Sequence, residues 1–432
     1  MTSAMLRLSA SLALLAVAMT GASAQTIRIA EHRQARIDAL NAVVPDIEAK
    51  LGVDIEVVEY PAPEKDYLSK LITELSAGNA PDIFTANGDA DVPDMVAAGY
   101  LAPITAQVQA WDGWDQLYGV AKQLSTHSSG EIYQLDSMLS VSQLYYRKDI
   151  LEAAGISTEQ PQTWAELLDR AREIKEKTGK FALMLPAGLS WGGGAFYEAF
   201  SLFIVGSQTP QIVNPDGTLN LTGPGITGYF EFQKALVDDG LTPVDPLLGP
   251  EPWVIPKYQM FPAGELVATA CGTWCYIYDW GPESQNPIPN VTEVVGTWAV
   301  PGQDANNLTV SVGGQNIWLV NAKAANTELA TQVLLELASV ETTVEYAKRL
   351  GNIPARKDAA DNADFQALTQ LVPVHANAQN GVVFKSGEGF SVVAEGVARA
   401  TEALLRQETD AAGAQAILVD YSRELLGDEV VK

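Results

Sequence analysis

Three groups of side chains in this sequence have the types and spacing to do chemistry: a cysteine pair, acids and bases at turns, and tryptophans beside glycines. Cys271 and Cys275, the only cysteines among 432 residues, lie in Cys-Gly-Thr-Trp-Cys. In an oxidising compartment they form either a disulfide that stiffens a very small loop around Trp274, or two free thiols. Zinc is disfavoured because His32, His127 and His375 are not at metal spacing with them. No metal or cofactor is expected. Glu31, Asp89 and Asp136 are the acids from which an exported glycoside hydrolase would draw its acid and base. A nucleophile triad has less support, since no Gly-x-Ser-x-Gly elbow lies near His127 or His375. His32, Arg33 and Arg356 offer a cationic set for a carboxylate, phosphate or sulfonate; the alternative for the first two is a solvated pair at a helix start. Trp191 precedes Gly192-Gly193-Gly194, where missing side chains let backbone amides approach a ligand.

The elements that must position these groups read as α/β. Thr26 to Ala30 is a short strand, and a helix from Gln34 to Lys50 carries Ile37, Leu40, Val44 and Ile47 on one face before Gly52 ends it. Val53, Ile55 and Val57 alternate with polar residues as a strand does. Leu68, Leu71, Ile72 and Leu75 mark a second helix stopped by Gly78, and Asp82 to Thr85 is a third strand. This order predicts a parallel sheet covered by helices, with ligands beyond the carboxyl ends of its strands. Glu31 and His32 follow the first strand, and Asn87 and Asp89 the third. Asp136 precedes the apolar strand Leu144-Tyr145-Tyr146. Thr163 and Glu166 form a capping box for a helix through Leu167, Leu168, Ala171 and Ile174, and Phe181 to Leu185 is the next strand.

Length and charge narrow the class. The chain is too long for one core, so two lobes are expected. Its net charge of −26 repels nucleic acid and anionic lipid, so neither is an expected partner. Arg7, the apolar run Leu8 to Met19 and Ala22-Ser23-Ala24 read as an export signal cleaved after Ala24. A soluble periplasmic protein follows from that reading.

Several ordered segments together resemble the family 1 extracellular solute-binding proteins that serve carbohydrate ABC transporters. They are Gly78-Asn79-Ala80-Pro81-Asp82-Ile83-Phe84, Ala98-Gly99-Tyr100-Leu101-Ala102-Pro103-Ile104, Leu144-Tyr145-Tyr146-Arg147-Lys148-Asp149-Ile150-Leu151, Pro161-Gln162-Thr163-Trp164-Ala165-Glu166-Leu167, Phe261-Pro262-Ala263-Gly264-Glu265, Gly272-Thr273-Trp274 and Gly351-Asn352-Ile353-Pro354-Ala355-Arg356. The resemblance implies a two-lobed periplasmic-binding-protein fold with three hinge crossings and a ligand cleft between the lobes. The expected division is 25–135 and 301–352 for the first lobe, 136–300 and 353–432 for the second. It also implies a receptor for a sugar, sugar alcohol or small glycoside rather than an enzyme, acting as a monomer with a membrane ABC permease. Trp274 matches a position that stacks on sugar, and Asp89 and Asp136 match carboxylates that accept from hydroxyls. Glu31, Gly313, Gly314, Gln315, Asn316 and Arg356 complete the set, with Trp253 and Trp280 as lesser stacking candidates. Arg147 stands where the family has asparagine and reads as a surface change. A same-fold receptor for an anionic sugar derivative or a polyamine is the remaining alternative.

Overall fold

The computed structural model describes residues 25–86, 91–304, 311–378, 381–384 and 389–432. The export-signal segment, Asn87 and Asp89 therefore lie outside the described residues. The first lobe begins with β1 (Thr26–Glu31), α1 (Gln34–Leu51), β2 (Asp54–Glu59), α2 (Glu64–Ala77) and β3 (Ile83–Thr85). Ile37, Leu40, Val44 and Ile47 bury one face of α1, and Gly52, at φ 68, takes the left-handed turn that ends it. β1 pairs in parallel with β2 and β3, as the alternating pattern predicts. The sheet is mixed beyond that point, because β3 continues antiparallel onto β8 (Ser311–Val320).

β8 pairs with β4 (Gln134–Arg147), a strand of 14 residues. Its first part, Gln134 to Ser142, is zipped to β8 in the first lobe. Its last part, Gln143 to Arg147, pairs instead with β6 (Leu266–Cys271) and β7 (Val295–Trp298) of the second. β5 (Phe181–Met184) closes the second sheet by parallel pairing with β6. A short β9 (Ile353–Pro354) adds to β4 at Met138 and Leu139. The apolar Leu144-Tyr145-Tyr146 run is thus the end of a strand shared by both sheets.

Each lobe has its own core. Ile29, Leu40, Ile83, Leu135, Trp318 and Val333 cluster in the first, and Leu144, Phe200, Phe203, Tyr229, Phe230, Val267 and Leu418 in the second. Two boundaries differ from the expected division: β4 stays paired in the first sheet through Ser142 rather than leaving it after 135, and the stretch after 352 does not leave the first core at once. Ile353, Ala355, Phe365, Leu371 and Val383 pack in the first core, and Phe384 and Phe390 are the residues that enter the second. The chain therefore stays with the first lobe about 30 residues longer than the expected boundary at 352 implied, because those apolar residues cover the helix Val340–Leu350 and β4 rather than the second sheet.

Arg147 is not a surface change. Its guanidinium is mostly buried, pairs with Asp149 at 2.6 Å and donates to the carbonyls of Phe261 and Pro262 at 3.0 and 2.9 Å. It ties the end of β4 to the segment before β6. The capping box at Thr163 forms with one change of partner: Thr163 Oγ1 accepts from Glu166 N at 3.1 Å, and Glu166 reaches Gln162 N at 2.8 Å. Thr163→Ala should lower stability by about 1 kcal/mol through the lost cap. Urea unfolding measures this, and an unchanged midpoint would mean the cap contributes nothing.

Candidate functional site

The junction between the lobes is lined on the first-lobe side by the turn after β1. Glu31 is buried there, and its Oε1 accepts from the backbone N–H groups of His32 and Arg33 at 2.8 and 3.1 Å. Burial alone would raise its pKa. His32, whose Nδ1 lies 3.2 Å away, and the charges of Arg36, His32 and Arg33 outweigh that and hold it down at about 2. Glu31 therefore secures the start of α1 rather than standing open to a ligand. His32 stacks on Tyr67 at 4.2 Å between ring centroids, and its Nε2 has no hydrogen-bond partner among the described residues. Arg33 pairs with Glu64 at 2.7 Å while keeping 42% of its side chain exposed, and Arg36 donates to Gln315 Oε1 at 3.0 Å.

The opposite wall is built on two single π-helical turns, Phe196–Phe200 and Pro256–Met260, which carry Glu198 and Lys257. Such turns break helical register and point side chains where an α-helix would not. Lys257 is buried, with Nζ 3.1 Å from Asp279 Oδ2, 3.7 Å from Glu198 Oε2 and 5.6 Å from the ring centre of Trp274. Burial pushes the ammonium toward neutrality, but the two carboxylates more than offset it and keep it charged. Burial raises the Glu198 pKa, Lys257 draws it down, and Asp279 raises it. The charges of Arg33 and Glu64 also act on Glu198, so these two walls face each other.

The floor between them is polar. Ser140 pairs in register with Gly313, whose Cα has open space where a side chain would be. Ser140 Oγ, Thr273 Oγ1, Tyr346 OH and Asn352 Oδ1 are buried without hydrogen-bond partners among the described residues. Gly272 lets the turn after β6 close on β4, since a Cβ there would lie 2.4 Å from Ser140 Oγ. A disulfide joins Cys271 and Cys275 across that turn, with Cα atoms 6.5 Å apart, and Trp274 projects from it half-buried. At the turn's other side, a Cβ on Gly351 would lie 2.9 Å from Trp274 Cα.

The residues picked from sequence separate accordingly. Glu31, His32, Gly313, Gln315 and Trp274 come together around the junction, with Trp191 close behind Glu198: a Cβ on Gly194 would lie 2.1 Å from the Trp191 ring and 3.3 Å from Glu198 Oε1. Asp136 does not join them. It is fully buried, its Oδ2 accepts from Ser125 Oγ and Gln134 Nε2, and its Oδ1 lies against Gly314, where a Cβ would be 1.7 Å away. Arg356 is held by Asp358 at 2.7 Å and lies over the Trp111 ring in the first lobe, so the cationic trio is not assembled. Trp280 is fully buried, stacked on Phe261 at 4.3 Å, and fills the core. Asn316 is buried, with neither amide atom partnered among the described residues. Arg36, Glu64, Ser140, Glu198, Lys257, Thr273, Asp279 and Tyr346 were not singled out by sequence reasoning. Arg36 had a signal, standing one helical turn after His32.

Two α/β lobes that share a long strand and face each other across a lined junction define the two-lobed fold of the maltose-binding-protein type. The chain belongs to the bacterial extracellular solute-binding protein family, which matches residues 42–373. It is 26% identical over 373 residues to a putative binding protein of Brucella abortus (strain 2308), covering 79% of this chain and 83% of that one. It is 25% identical over 285 residues to the lactose-binding protein of Rhizobium radiobacter, covering 63% and 60%. The solved structure of maltose-bound MalE3 from T. maritima superposes with a TM-score of 0.76 at 18% identity, over 93% of this chain and all (100%) of that one.

Asp136 gives the site's surroundings a pH signature. Burial pushes its pKa from 3.8 up to about 6, against hydrogen bonds from Gln134 and Ser125. The folded state then holds a proton that the unfolded chain has released, so this group's contribution to stability falls as pH rises from about 4 to about 6. Relative to the unsubstituted protein, Asp136→Asn should gain about 2.4 kcal/mol between pH 4 and pH 7. Urea unfolding at both pH values checks it; a pH-independent difference would contradict the assignment.

Proposed function

We propose that the protein is the exported receptor of an ABC transporter, binding an uncharged sugar, sugar alcohol or small glycoside between its lobes and delivering it to a membrane permease as a monomer. Export would proceed with cleavage after Ala24. The observation that carries the reading is the matching of charge within the walls. Arg33 is met by Glu64, Arg36 lies 3.9 Å from Glu31, and Lys257 is met by Asp279. Among the described residues, the groups left for a ligand include the hydroxyls of Ser140, Thr273 and Tyr346, the amide of Asn352, His32 Nε2 and the half-buried Trp274 ring. Hydroxyl groups suit the polar atoms, and the C–H face of a sugar suits an indole. The lactose-binding relative and the maltose-bound neighbour support the same class.

Closure couples to binding because a ligand touching both walls has differential affinity for the closed state. A receptor is favoured over a hydrolase because Glu31 is engaged at the start of α1 and Asp136 is walled in behind Gly314, so they do not flank one cavity as an acid and base must.

A thermal-shift panel of neutral sugars, polyols, acidic sugars, sugar phosphates and polyamines tests the reading. A neutral sugar or polyol at about 100 times its Kd should add about 2.7 kcal/mol of stability. Trp274→Ala should weaken that binding by about 2 kcal/mol or more. Stabilisation by anionic sugars or polyamines alone, or by none of the panel, would overturn it.

A further inference from the structure

The lobes also meet through a pair of hydrogen bonds that involves none of the paired strands. The helix α3 (Asp91–Ala97) belongs to the first lobe, where Val92 and Met95 pack beside Ala30, Phe84 and Leu319. The helix Phe390–Leu405 belongs to the second, through Phe390, Val393 and Val397. Between them, Asp94 Oδ1 accepts from the backbone N–H of Gly389 at 3.0 Å, and Asp94 Oδ2 accepts from Ser391 Oγ at 2.5 Å.

The first N–H groups of a helix lack internal partners and carry the positive end of its dipole, so a carboxylate is favoured there. The acceptor for the N-cap residue's own N–H is normally the side chain at the third helical position, as in a capping box. Here the N-cap is Gly389, at φ 83, and the third helical position is Val392, which has no acceptor to offer. The second-lobe helix is thus capped by a first-lobe carboxylate. Hydrogen bonds of this kind lapse over a few tenths of an ångström, and a rotation of one lobe against the other separates the partners.

We infer that Asp94 is a closure latch: its carboxylate caps the Phe390–Leu405 helix when the lobes are together and biases the empty protein toward the closed state. The link to solute uptake rests on the receptor reading; the latch itself does not. By lowering the free energy of closing, it leaves more of the solute's contact energy as affinity.

The test uses the full mature chain without solute, under non-reducing conditions that keep the Cys271–Cys275 disulfide. Spin labels at Glu56→Cys and Asp169→Cys, on side chains 60% and 74% exposed in the first and second lobes, report the interlobe distance by double electron–electron resonance. Asp94→Ala and Asp94→Asn are expected to shift the distribution to longer distances. Ser391→Ala should shift it less, because the Gly389 N–H still donates. Unchanged distributions in both Asp94 variants, with native far-UV circular dichroism, would overturn the latch. For a solute that stabilises the protein, Asp94→Ala should also raise Kd by about tenfold. Failure to find any solute would leave the distance measurement standing.

Discussion

Backbone pairing of one strand constrains everything else in this molecule. Every buried N–H and C=O of β4 needs a partner, and the strand finds them in two different sheets, in β8 up to Ser142 and in β6 and β7 from Gln143 onward. Neither lobe can give up the strand without orphaning its backbone. The lobes are therefore joined where β4 changes partner, and they can rotate about that point without breaking either ladder. The same exchange sets Ser140 opposite Gly313 at the floor and brings the Gly272–Trp274 turn against it.

Around that floor the charged groups are matched locally, although the chain as a whole carries −26. A buried charge is costly unless paired, and each cation in the walls has a carboxylate within reach: Arg33 with Glu64, Arg36 with Glu31, Lys257 with Asp279 and Glu198. The acidity of the protein thus lies mainly on its outer surface, where it serves solubility. On the proposed reading, an uncharged polyhydroxylated solute would meet polar atoms in the junction whose desolvation it can repair, and a charged one would meet walls with little surplus to answer it.

What was legible in the sequence was local. The periodicity of α1, the left-handed glycines at Gly52 and Gly78, the strands β1 to β3 and the Thr163 cap are each set by residues a few positions apart, and each has the expected place. The ordered segments spanning the chain carried the family. Which partner takes up a polar side chain was not legible, whether it stands two residues away, as Gln134 and Asp358 do, or is brought in from far along the chain, as Gly314 and Trp111 are. Asp136 and Arg356 have the residue types of a binding site, but Gln134, Ser125 and Gly314 enclose the first and Asp358 and Trp111 hold the second. Conversely, Glu198 and Lys257 reach the junction from π-helical turns that no 3.6-residue period marks. The late crossing at Val383 was missed for the same reason: apolar residues alone do not say which of two cores they enter.

The most direct test of this account is a crystal structure of the protein with a bound solute that stabilises it. The account predicts the solute between the walls, in contact with both lobes at once, its apolar face on the Trp274 indole and its hydroxyls within hydrogen-bond distance of Ser140 or Thr273. A solute held by one lobe alone, or seated away from Trp274, would contradict it.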